Sequence, residues 1–249
     1  CLLSRGLGDV YKRQALRDAN RLFGLSGMQI GVLSAVLGNG LVFAVVMQRQ
    51  KLGWRALFHP SHASMRATLM LVVPPTLLLV PALMLAITCA INLLTLAMPL
   101  SAWEEAMFSR MADGSVAAVL AVCVMAPLLE EMLFRGIVLR GFLQRYPRWQ
   151  AILMSALLFG AAHMNIYQFV VGVAMGAVLG WLYERTRSLI PCIALHAAYN
   201  STTLLVAGWL EDASPAGVLS FVLLAGAAAL CGGVVLRQLL VASGRTSEG

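Results

Sequence analysis

Long apolar runs joined by short charged connections dominate this chain. Few folds accept such a pattern. A run of about 20 apolar residues spans a bilayer as a helix, because lipid offers backbone groups no hydrogen-bond partner. The chain is 60% apolar and 12% charged, whereas soluble domains are nearer about half and about a quarter. A soluble enzyme, a disordered chain and a disulfide scaffold are excluded. No alternating strands of outer-membrane-barrel type occur. The expected fold class is therefore all-α, a polytopic integral membrane helical bundle.

Seven stretches are long enough, or nearly so, to cross: 22–47, 68–98, 115–139, 150–166, 167–184, 189–209 and 216–240. The second contains Pro74, Pro75 and Pro81 and is expected to kink or break. The fourth and fifth are short, so one of them is expected to be tilted or re-entrant. Residues 1–14 resemble translated sequencing-adapter sequence and are expected not to be native. The remainder divides into N-terminal helices (15–114), a core (115–209) and a C-terminal helix with its tail (210–249).

Charge sorts the connections. Arg49, Lys51, Arg55 and Arg66 occupy one, Arg140, Arg145 and Arg148 another, and Arg185 and Arg187 a third; Arg237 and Arg245 lie in the tail. The alternate connections hold Glu104, Glu105, Arg110 and Asp113, then no charge, then Glu211 and Asp212. The positive-inside rule puts the basic connections and the C-terminus in the cytoplasm. The net charge of +7 thus reads as topology. With no basic block interleaved by aromatics, nucleic acid is not an expected partner. The five scattered cysteines read as small buried hydrophobes.

Only Glu130, Glu131 and Arg135 carry charge well inside an expected span. Ionisable groups in lipid are costly and usually have a function. Glu131 and Arg135, at i,i+4, can pair along one helix face. Glu130 points about 100° away and stays free. The next span carries Phe159 and His163, one turn apart, and a later one carries His196 and Asn200, also at i,i+4. Helical rise puts all four of Glu130, His163, His196 and Asn200 between the inner half and the middle of the membrane. A carboxylate and a neutral His can take a proton from water, and a second His and an Asn amide can stabilise an oxyanion. Glu130, His163 and His196 can equally be drawn as ligands of a divalent metal such as zinc, although the HExxH spacing is absent.

These motifs, EExxxR (Glu130, Glu131, Arg135), FxxxH (Phe159, His163) and HxxxN (His196, Asn200), resemble in their order the CPBP family. That family comprises the CAAX-prenyl endopeptidase-like and bacteriocin-processing intramembrane proteases, also called Abi. The flanks agree: Ala126-Pro127 before the Glu pair, Phe134-Arg135-Gly136 after it, and Leu195-His196-Ala197-Ala198-Tyr199-Asn200. The resemblance spans about residues 115–205. It implies a membrane protease core of eight-helix type opening toward the cytoplasm and the lipid. Glu130 and His163 then activate water, and His196 and Asn200 hold the oxyanion. Glu131, Arg135 and Phe159 support them, Phe159 by orienting the imidazole. The implied partner is a peptide or membrane-protein substrate in a bacterial inner membrane. Two other readings stay open: a non-catalytic bacteriocin-immunity or scaffold protein, and a transporter using the midplane polar residues.

Overall fold

A computed structural model describes residues 27–111, 114–212 and 214–245. The adapter-like segment lies outside them. The described residues form helices joined by short turns: α1 (Gly27–Gln50), α2 (Trp54–Phe58), α3 (Met65–Leu77), α4 (Val80–Ala97), α5 (Ala102–Met111), α6 (Val116–Phe142), α7 (Arg148–Ala162), α8 (Ile166–Thr186), α9 (Leu189–Asp212) and α10 (Pro215–Arg245). This is an all-α membrane bundle. Among the described residues, five helices are long and apolar enough to cross: Val80–Ala97, Val116–Phe142, Ile166–Thr186, Leu189–Val206 and Pro215–Leu240.

The expected break in the second span is present and the fourth span is short as expected, whereas the cysteines differ in part. The second expected span is two helices, broken at Leu78 and Leu79, where the prolines interrupt the backbone ladder. The fourth span, α7, has 15 residues, or about 22 Å at the α-helical rise, which is short of the roughly 30 Å hydrocarbon core. Cys123 and Cys192 are buried as expected, whereas Cys89 and Cys231 are exposed on the outside of the helices.

Contacts at the connections sort the bundle into two ends. At one, Arg140 donates to the carbonyl of Ala56, and His59 joins Ser188 at 2.9 Å and the Ala63 carbonyl at 2.7 Å. At the other, Asn165 Nδ2 donates to Glu104 at 3.0 Å, and the Tyr167 hydroxyl donates to the carbonyl of Met98. The basic connections therefore gather at one end and Glu104 at the other, in line with the charge alternation.

Antiparallel α7 and α8 form the tightest pair in the fold. A Cβ on Gly172 would lie 2.7 Å from the Gly160 Cα, and one on Gly176 would lie 2.8 Å from the Ala156 Cα. Small residues at i and i+4 let membrane helices meet backbone to backbone.

Candidate active site

The Glu pair lies on an α-helical stretch, Ala126–Leu133, held between two π-helical ones, Ala121–Met125 and Phe134–Leu139. The first π stretch follows from Pro127. In π register the Ala126 N–H donates to the Ala121 carbonyl, and residue 127 should serve Val122 in the same way. Proline has no N–H to give. The Val122 carbonyl instead accepts from Asn200 Nδ2 at 2.8 Å. One proline thus frees a carbonyl, and that carbonyl fixes the amide of a candidate site residue. Only the amide nitrogen can donate to it, so the Asn200 flip is set.

Glu131 and Arg135 pair as their spacing implies, Nη1 to Oε1 at 2.8 Å, and both are fully buried. The guanidinium also donates to the Gly176 carbonyl at 3.3 Å, and it stacks 4.5 Å from the centre of the Phe159 ring. Glu131 Oε1 accepts a second hydrogen bond, from His196 Nδ1 at 2.9 Å. The other ring nitrogen of His196, Nε2, faces Glu130 Oε2 at 3.8 Å. His196 is thereby flanked by both carboxylates. The sequence spacing paired Glu131 with Arg135, left Glu130 free and did not anticipate this bridge.

Glu130 points away from that pair, with 30% of its side chain exposed. His163 caps the C-terminus of α7. Its Nδ1 donates to the Phe159 carbonyl at 2.9 Å, so Nε2 is the ring nitrogen not used in that bond. Phe159 meets both imidazoles edge-on, at 5.1 Å from His163 and 5.8 Å from His196.

Glu130, His163, His196 and Asn200 all line one cavity of about 470 Å³. Phe159 lines it as well, whereas Glu131 and Arg135 stand behind its wall. The lining continues to Met111 on α5 and Gln168 on α8, near the Glu104 end, and includes no residue of the basic connections. An opening on the basic side, as the resemblance implies, gains no support from this lining. Among the described residues no three His, Cys, Asp or Glu side chains are grouped closely enough to hold a metal ion, and the Nδ1 of His196 is taken by Glu131.

Residues 112–202 match the family described as type II CAAX prenyl endopeptidase Rce1-like. This segment holds every motif residue above, so the family resemblance read from the three motifs is upheld over it. The chain is 28% identical over 83 residues to a Bacillus subtilis (strain 168) protein named "Putative membrane peptidase YdiL", covering 33% of this chain and 34% of that one. It is 36% identical over 111 residues to an Escherichia coli protein named "Uncharacterized 24.3 kDa protein", covering 41% and 50%. The chain thus spans half or less of the length of these relatives. No solved structure matches it.

Proposed function

We propose that this protein is an intramembrane endopeptidase that hydrolyses a peptide bond with a water activated by Glu130 and His163. One observation carries the reading: Glu130, His163, His196 and Asn200, from three helices, share one cavity within a membrane bundle. The Rce1-like match over 112–202 supports the same class of reaction.

The chemistry follows from the hydrogen bonds. Glu130 takes a proton from water, and the His163 Nε2 lone pair accepts from the same water and orients it. The hydroxide adds to the carbonyl carbon, and the carbonyl oxygen takes up the negative charge. Asn200 keeps one amide N–H for that oxygen, since Val122 occupies the other. His196 serves as a second donor in its imidazolium form, with Nδ1–H on Glu131 and Nε2–H toward the cavity. In that form, two carboxylates, Arg135 and the imidazolium sum to zero charge, the arrangement a low-dielectric site favours. Collapse breaks the C–N bond, and the departing amine takes the proton back from Glu130.

The substrate class is a peptide or membrane-protein segment entering from the bilayer or from the Glu104 end. The test uses the full chain in proteoliposomes with membrane-anchored peptides, scoring new N-termini by mass spectrometry. Glu130→Gln and His163→Ala are expected to abolish cleavage while the thermal transition is kept. Cleavage that survives Glu130→Gln overturns the proposal.

A further inference from the structure

A second cavity, of about 810 Å³, lies at the opposite end of the bundle and shares no lining residue with the first. It sits where α3, α6, α8 and α10 meet beneath the basic connections. Arg140, Arg185 and Arg187 line it, together with His62. No carboxylate does. Arg185 reaches Glu184 at 3.6 Å, and Arg140 uses one nitrogen on the Ala56 carbonyl. Arg187 forms no ion pair among the described residues.

Basic residues at a membrane edge ordinarily need no explanation, since they set orientation. The independent observation is Tyr183. It lines this cavity, is fully buried, and its hydroxyl has no hydrogen-bond partner among the described residues. A buried hydroxyl without a partner costs about 1–3 kcal/mol, so its placement calls for an acceptor. The rest of the wall is mixed: Ser61, Thr68, Gln144 and Thr186 stand beside an apolar strip that runs from Leu71 and Val72 on α3 to Leu143 and Leu239.

We propose that this cavity binds the phosphate headgroup of an anionic phospholipid, with the Tyr183 hydroxyl and Arg187 on the phosphate oxygens and the apolar strip along the first carbons of the acyl chains. Guanidinium groups and a hydroxyl donor suit phosphate oxygens. Three arginines line the cavity and among the described residues only Arg185 meets a carboxylate, Glu184, which lies outside the lining; this balance favours a net negative headgroup. The apolar strip favours a lipid over a soluble anion. The basic end of a bacterial membrane protein faces the leaflet where anionic headgroups attract such residues. This site is separate from the peptidase reading and stands or falls without it.

The test is thermal unfolding of the full chain in neutral detergent, titrated with phosphatidylglycerol, with diacylglycerol, which lacks the phosphate, and with inorganic phosphate. Phosphatidylglycerol is expected to raise the transition, and the other two are expected neither to raise it nor to displace the lipid. Arg187→Gln should weaken the lipid by about tenfold, the usual scale of a charge-assisted hydrogen bond. Tyr183→Phe removes no hydrogen bond from the protein, so it should fold as the parent does. It should bind the lipid about three- to tenfold more weakly. Protection by diacylglycerol overturns the phosphate assignment, and displacement by inorganic phosphate overturns the lipid. Unchanged binding in Tyr183→Phe and Arg187→Gln overturns the site.

Discussion

Asn200 on α9 donates from Nδ2 to the carbonyl of Val122 on α6 at 2.8 Å, the carbonyl that Pro127 leaves without a partner. This bond ties the oxyanion candidate to the helix that carries Glu130. Asn200→Ala leaves the Val122 carbonyl buried and unpaired, so the expected loss is about 1–3 kcal/mol. Pro127→Ala restores an N–H in the π register. Combined with Asn200→Ala, it should recover part of the lost stability, a coupling of about 0.5 kcal/mol or more. Thermal unfolding of the four proteins in one detergent measures it. Additive losses would show that Pro127 and Asn200 do not act on the same carbonyl.

Arg135 holds its charge fully buried between Glu131, the Gly176 carbonyl and the Phe159 ring. Arg135→Met removes the arginine counter-charge and leaves the buried Glu131 with His196 alone as its partner. Breaking one side of a buried pair costs about 3–5 kcal/mol, so the single variant should accumulate poorly and unfold early. Glu131→Gln combined with Arg135→Met removes both charges and should recover much of the yield. Equal yields of the single and double variants would show that the charge balance is not what the pair supplies.

Much of this was legible in the sequence for one physical reason: charge is scarce in an apolar chain, and what remains there stands out. Glu130, Glu131 and Arg135 were separable by helical spacing alone, and the observed pair and free carboxylate follow that spacing. Partners across helices were not legible, because spacing along one helix says nothing of the next. The His196 to Glu131 bond is of this kind. Two local signals lay in plain view. Ser101-Ala102-Trp103-Glu104 is a capping box, and it starts a helix, α5, where a plain connection was expected. Gly172, Gly176 and Gly180 recur every four residues, the spacing of a close helix contact, and they mark the face of α8 that meets α7.

The α7–α8 contact has no room for a methyl group. Gly172→Ala puts a carbon 2.7 Å from the Gly160 Cα, and backbone cannot step aside as a side-chain tip can. Overpacking of this sort costs about 1–3 kcal/mol. Gly233→Ala on α10 meets nothing within 4 Å and serves as the control. Thermal unfolding should separate the two variants clearly, and equal transitions would refute the close packing of the hairpin.

Glu104 links two connections at the end of the bundle toward which the first cavity extends. It accepts from the Ser101 N–H at 2.9 Å, the Ser101 hydroxyl at 2.8 Å and Asn165 Nδ2 at 3.0 Å. The Ser101 backbone N–H does most to hold its carboxyl below the ordinary 4.5, followed by the Ser101 hydroxyl; burial opposes them, and Asn165 adds the least. A lowered folded value means that this anchor is complete above 4.5 and weakens as the pH falls through the lower value. Backbone amides of residues 101–105 should therefore lose protection, measured against their intrinsic exchange rates, as the pH falls below 4.5. Glu104→Gln cannot titrate there, and its protection should stay constant across the same range. If the parent and Glu104→Gln show the same acid dependence, another group controls this connection. If they differ, the connection on the side of the cavity lined by Met111 and Gln168 has an anchor that loosens in acid.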